Sequence, residues 1–146
     1  MSERTDAVDA WESLYRAQVA VLRQLLTEFP DDEISFTEYD VLFNLYRQPD
    51  RALRIRDLNK HLLLTQPSVS RLLDRLAARG IVSKRPDPRD ARGTIVALTD
   101  KGVDVFRRVG AQHGRSIIAR MSVLGRDEQQ RLAELAEKLR AGASPG

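Results

Sequence analysis

Two groups of arginines in the middle of this chain carry the residue types and spacing that could do chemistry. Arg71 and Arg75 lie one helical turn apart in the run Thr65-Gln66-Pro67-Ser68-Val69-Ser70-Arg71-Leu72-Leu73-Asp74-Arg75. Arg85, Arg89 and Arg92 alternate with Asp87 and Asp90 in the run Arg85-Pro86-Asp87-Pro88-Arg89-Asp90-Ala91-Arg92-Gly93. A guanidinium is a rigid fork of donors that can bond in pairs to a phosphate or to the edge of guanine. At 100° per residue Val69, Leu72, Leu73, Leu76 and Ala77 share one side of a helix, and that side can anchor to a core. The opposite side presents Pro67, Ser68, Arg71, Asp74, Arg75 and Ala78, with Gln66 at the leading end. Small residues there permit close approach to a groove, while Ser68, Ser70 and the free N–H groups of the first turn can hold phosphates.

The second run reads as the tip of a hairpin. Alternating Asp and Arg can lock such a tip through local ion pairs, with Asp87 and Asp90 as the structuring acids. That leaves a guanidinium free for a narrow, electronegative minor groove beside the major groove being read. Gly93 allows the return into the second strand.

The elements that must position these groups follow from periodicity and capping. Val8, Trp11, Tyr15, Leu22, Leu25, Leu26 and Phe29 recur at helical spacing and predict a helix from Asp6 to Phe29, stopped by Pro30. Ser35 and Glu38 form a capping box, with Ile34 and Tyr39 as a hydrophobic staple, and Tyr39, Leu42, Phe43 and Tyr46 are expected on the inner face of the helix they start. A short helix is expected around Ile55 to Leu62. Thr65 is a suitable N-cap and Pro67 sits in the first turn of the next helix, which runs to Gly80. Ile81 to Arg85 and Thr94 to Leu98 read as two strands joined by a long charged loop, Pro86 to Gly93. Thr99 caps a further helix with Val103, Phe106, Ile117 and Met121 on one stripe, and Gly125 separates it from a last helix carrying Leu132, Leu135, Ala136 and Leu139. The order is helix-turn-helix followed by a two-stranded wing, flanked at both ends by helices.

Charge is distributed to match. Between Arg51 and Arg92 stand eleven basic and four acidic residues, an excess of seven; the rest of the chain carries 13 basic against 17 acidic, so the net +3 is concentrated in the middle. A basic centre between acidic flanks suits a polyanion. The chain has no cysteine and two histidines, His61 and His113, which removes disulfides, thiolate metal sites and thiol redox sensing. No phosphate-cradling glycine loop, zinc-protease His pair or nucleophile elbow is present, so an enzyme is not expected, nor a cofactor. With no apolar run long enough to span a bilayer and no signal core after Met1, a cytoplasmic protein is expected.

The string DPRDARGTIVALTDKG, Asp87 to Gly102, resembles the wing of the MarR family of winged helix-turn-helix regulators, and TQPSVSRLLDRLAARGIVSKR, Thr65 to Arg85, is similar to that family's recognition helix and first wing strand. The resemblance implies a mainly α fold with a small two-stranded β wing. It implies N- and C-terminal dimerisation helices at residues 1–34 and 101–146 around a DNA-binding domain at 35–100. Thr65, Gln66, Pro67, Ser68, Ser70, Arg71 and Arg75 would face double-stranded DNA from the helix, and Arg85, Arg89, Arg92 and Gly93 from the wing. Arg92 would enter the minor groove, with Asp90 holding the wing's arginines. It further implies a homodimer on a palindromic operator, usually a repressor, relieved by a small ligand. With no cysteine sensor and separated histidines, an aromatic or anionic ligand is expected, with Trp11, Tyr15, Phe36 and Tyr39 as candidate contacts. The alternative is a winged-helix dimerisation or protein-interaction module that binds no DNA; such a module has no need of guanidinium groups on helix and wing together.

Overall fold

The computed structural model describes residues 2–62 and 66–143. The chain divides into two compact units, one formed by Glu28–His113 and the other by Met1–Thr27 with Gly114–Gly146.

In the first unit, Ser35 opens helix α2 (Phe36–Tyr46) with the expected capping box: its hydroxyl accepts the Glu38 N–H at 3.1 Å and the Glu38 carboxylate accepts the Ser35 N–H at 2.8 Å. Two orphan amides of the first turn are satisfied reciprocally. The inner face differs in part from expectation. Val41, Leu42 and Leu45 are fully buried, Tyr39 and Tyr46 pack on the core from its margin, and Phe43 is 41% exposed. The i, i+4 pair Val41 and Leu45 takes the central stripe, which turns Phe43 outward.

A strand, β1 (Ala52–Arg54), leads into a short helix α3 (Ile55–Asn59). Helix α4 (Gln66–Ala78) follows, then strands β2 (Val82–Asp87) and β3 (Asp90–Leu98). The expected two-stranded wing is present, and β1 adds a third antiparallel strand, giving the order β1-β3-β2. Three residues bounded by turns were too short a run to read as a strand. The wing strands reach further than expected, so the long loop becomes ordered ladder with a two-residue turn at Pro88-Arg89. Pairing runs regularly from Val82↔Leu98 to Pro86↔Thr94 and then jumps to Asp87↔Asp90. Ala91, Arg92 and Gly93 are thereby thrown out of the ladder as a bulge, a device that re-aims a side chain.

Helix α4 is anchored as its sequence requires. Val69, Leu73 and Leu76 are wholly buried and Leu72 nearly so, among Leu42, Leu45, Leu58, Ile81, Val82 and Val96. Gly80 ends the helix segment at φ +74°, a left-handed position that glycine adopts without penalty. Helix α5 (Asp100–Met121) begins where Thr99 accepts the Gly102 N–H at 3.0 Å. The Thr99 hydroxyl also lies 2.6 Å from the Gly80 carbonyl, which clasps the end of α4 to the start of α5.

The second unit contains helix α1 (Glu3–Glu28), nearly all of which belongs to it, the C-terminal part of α5, and helix α6 (Arg126–Ala143). Neither α1 nor α6 buries a single residue among those described, and Val8, Trp11, Tyr15, Leu132, Leu135 and Leu139 are exposed.

The anchoring of α4 makes a stability prediction. Leu76→Ala should lower the unfolding free energy by about 2–5 kcal/mol, whereas Arg75→Ala, its neighbour on the outer face, should change it by less than about 0.5 kcal/mol. Urea unfolding followed by circular dichroism measures both, and equal losses would contradict the division of the helix.

Candidate nucleic-acid interface

On the outer face of α4, Pro67, Ser70, Arg71, Asp74, Arg75 and Ala78 are exposed and Ser68 is half-buried. Thr65, the expected cap, lies outside the described residues. Gln66 begins the helix. Asp74, lying between the two arginines in sequence, is engaged by the Lys84 ammonium from β2. Among the described residues neither Arg71 nor Arg75 meets a carboxylate, so both guanidinium groups keep their donors for an outside acceptor.

The wing is built differently from a chain of Asp–Arg side-chain pairs. Asp90 Oδ1 accepts the backbone N–H of Arg92 at 3.0 Å, and Asp87 Oδ1 accepts that of Arg89 at 2.9 Å. Both are short-range turns in which an acid replaces a missing backbone acceptor. The acids hold the backbone beneath the arginines, leaving the guanidinium groups of Arg85, Arg89 and Arg92 exposed.

Asp87 is the pivot. Its side chain is 1% exposed, and its charge is answered by Arg54 of β1, whose Nε lies 2.6 Å from Oδ2. The approach is off the line of a hydrogen bond, so it acts as a contact ion pair. Gly93 keeps an ordinary backbone; its small size is what matters, because a Cβ there would come within 3.2 Å of the Asp87 Cβ and 3.4 Å of the Asp90 carbonyl. Its expected role in the chain reversal therefore gives way to close packing. Arg54 and Lys84 are the two positioning residues that sequence reasoning missed. Nothing local linked Arg54 to an acid 33 positions on.

Around the Arg54–Asp87 pair, Ser70 of α4 and Asp90, Arg92, Gly93 and Thr94 of the wing border one cleft of roughly 330 Å³, with Arg56 on its margin. Helix and wing thus present their polar groups to a shared space. The C-terminal end of α4 is tied down separately. Arg79 donates to the Glu33 carbonyl and lies 3.8 Å from Glu38, and Lys101 donates to the Arg79 carbonyl at 2.8 Å. Arg108 grips the Glu33 carboxylate with bonds of 3.0 and 2.6 Å. That hydrogen bonding holds the Glu33 carboxyl below its ordinary range, against a smaller opposing effect of desolvation.

These features can be set beside known proteins. Residues 33–93, which hold α2 to the wing, match the MarR family. The chain is 28% identical over 132 residues to the HTH-type transcriptional regulator YkoM of Bacillus subtilis, a stretch covering 90% of this chain and 84% of that protein. Its fold superposes with a TM-score of 0.80 and 26% identity on Sco3205, a MarR family regulator from Streptomyces coelicolor solved in complex with DNA, over 100% of this chain and 92% of that one. It superposes with a TM-score of 0.67 and 25% identity on the PcaV regulator of the same organism, solved with its natural ligand, over 99% and 98% of the two chains. In sequence and in fold the chain is similar to MarR-family regulators.

The aromatic residues expected near a ligand divide between the units. Trp11 and Tyr15 stand exposed on α1, their rings 5.8 Å apart. Phe36 and Tyr39 pack in the other unit, each meeting the rings of Phe29 and His113 at 5.1–5.7 Å. His113 is buried, and its Nδ1 has no hydrogen-bond partner among the described residues. Burial pushes its pKa below the ordinary 6.5, so the imidazole is neutral.

Two predictions follow from this packing. Asp87→Ala strands Arg54 and should destabilise the protein by on the order of 3 kcal/mol, while Asp90→Ala, which frees one partly exposed amide, should cost about 1 kcal/mol; denaturant titration compares them. For His113, the unfolded state takes up a proton as pH falls below about 6.5 while the folded state resists. Stability should therefore decline from that pH downward, and melting curves between about pH 8 and about pH 5 should show a shallower decline in His113→Phe.

Proposed function

We propose that this chain is a homodimeric transcriptional regulator that binds double-stranded DNA at a palindromic operator and represses until a small aromatic or anionic ligand releases it. The observation that carries the reading is the pair Arg71 and Arg75, exposed on a rigidly anchored helix and without carboxylate partners among the described residues, while the acid between them is occupied by Lys84. Arg92 in the wing bulge adds a third exposed guanidinium, at the cleft that Ser70 of α4 also borders. In this reading α4 enters the major groove, with Thr65 to Ser70 near phosphates and Arg71 and Arg75 near base edges; Arg85, Arg89 and Arg92 follow the backbone and the minor groove. Sco3205, solved with DNA, and PcaV, solved with a ligand, support the two halves of the mechanism.

Dimerisation is supported by the uncovered apolar residues of α1 and α6. Large apolar side chains left uncovered along these helices call for cover, and a second copy supplies it symmetrically. Residues 1–34 and 101–146 would form that interface and residues 35–100 the reading head. Two heads related by a two-fold axis reach half-sites one turn apart, about 34 Å. Such a regulator works in the cytoplasm, where the chromosome lies; no helix among the described residues is long and apolar enough to cross a membrane.

Footprinting on DNA flanking the protein's own gene should reveal a palindrome. On that site Arg71→Ala and Arg75→Ala should each lose about 1–3 kcal/mol where the side chain meets a base, and Arg92→Ala should weaken binding with an unchanged melting curve. Unchanged affinity in all three variants would defeat the reading. Sedimentation should show a dimer that Trp11→Glu shifts toward monomer.

A further inference from the structure

At the end of the wing sheet away from the turn, a second basic group sits on aromatic rings. The Arg51 guanidinium lies 4.4 Å from the centroid of the Tyr46 ring, Arg107 of α5 lies 5.8 Å from the same ring, and Arg47 lies 5.4 Å from the exposed Phe43. The Arg107 Nε also donates to the Tyr46 hydroxyl at 3.3 Å. Among the described residues none of the three arginines meets a carboxylate, and Asp50, next to Arg51 in sequence, pairs with none of them.

Arg51 adds an independent observation. Its φ of +53° makes it the one non-glycine residue in the left-handed region among those described. Glycine fills such a position without penalty, and backbone strain of this kind concentrates at functional sites. Its carbonyl accepts the Leu98 N–H at 3.0 Å, which fixes the patch beside the base of β3. Leu98 pairs with Val82 and Asp90 with Asp87, so the five residue steps of β2 set the distance from that point to the wing turn, about 17 Å at strand rise.

We infer that Phe43, Tyr46, Arg47, Arg51 and Arg107 form a docking surface for an acidic segment of a partner protein that carries apolar side chains among its carboxylates. The chemistry selects this partner over nucleic acid. Guanidinium groups already lie against the Phe43 and Tyr46 rings, which leaves less room for bases to stack, whereas the outward N–H forks match carboxylates. An exposed Phe amid Tyr and Arg is the composition of binding hot spots between proteins. The Tyr46 hydroxyl is held below its usual range, first by the Arg107 hydrogen bond and then, against desolvation, by the charges of Arg107 and Arg51; it acts there as an acceptor that keeps Arg107 in place. This surface goes beyond the operator-binding reading and shares no residue with the α4 and wing groups assigned to DNA, although Arg107 falls within the stretch assigned to the dimer interface.

The test is fluorescence anisotropy of a labelled peptide of Glu and Asp with interspersed Phe and Leu, titrated with the full-length protein. A peptide with Gln and Asn in place of the acids serves as control, and an unlabelled non-operator duplex as competitor. Arg51→Gly suits the backbone at that position, so it should melt no lower than the parent. With Arg107→Gln added, acidic-peptide affinity should fall by about tenfold or more, with operator affinity and sedimentation unchanged. The inference is overturned by absence of peptide binding, by equal binding of the Gln/Asn control, or by equal affinity in the variants. It is likewise overturned where the duplex displaces the peptide, which assigns the patch to nucleic acid, or where the variants change the oligomeric state, which assigns it to a second copy.

Discussion

A carboxylate that is removed from water must be answered by a cation, and in this chain that demand falls on Asp87. Its oxygens take the Arg89 amide on one side and the Arg54 guanidinium on the other. The first interaction sets the turn of the wing. The second fastens that turn to β1, which leads directly into α3 and the helix-turn-helix. Gly93 is small because Asp87 lies against it. Wing angle, turn geometry and the outward throw of Arg92 therefore share one buried charge.

Helix α4 meets the complementary constraint. Its Leu and Val stripe is sunk in the core, so its outer face is left with serines, arginines and one acid, and that acid is turned aside to Lys84. Burial on one side and charge withdrawal on the other leave two guanidinium groups in the same local frame. The clasp of Thr99 on the Gly80 carbonyl and the grip of Lys101 and Arg79 on the helix end keep that frame from twisting.

Much of this was legible in the residues themselves. The Ser35–Glu38 box, the stripe of α4, Gly80 as a left-handed stop and Thr99 as a cap are short-range features whose physics acts within a few residues, and each stands where periodicity placed it. What escaped were contacts across long separations. Arg54 and Asp87 carry no local mark of each other, β1 is too short to show alternation, and the bulge of Ala91 to Gly93 depends on a partner strand. Phe43 went astray for a related reason: helical spacing offers several apolar stripes, and only the surrounding core decides which of them is covered.

The two fastenings of the wing differ in their exposure to ions. Lys84–Asp74 joins β2 to α4 at the surface, where dissolved salt screens it, whereas Arg54–Asp87 is shielded by its neighbours. Raising ionic strength thus loosens one hinge point and leaves the other intact, so the hairpin gains play about a fixed anchor. The slope of binding against salt for such a head then counts more than displaced counterions: it also contains the freedom that the hairpin acquires when its outer strap slackens.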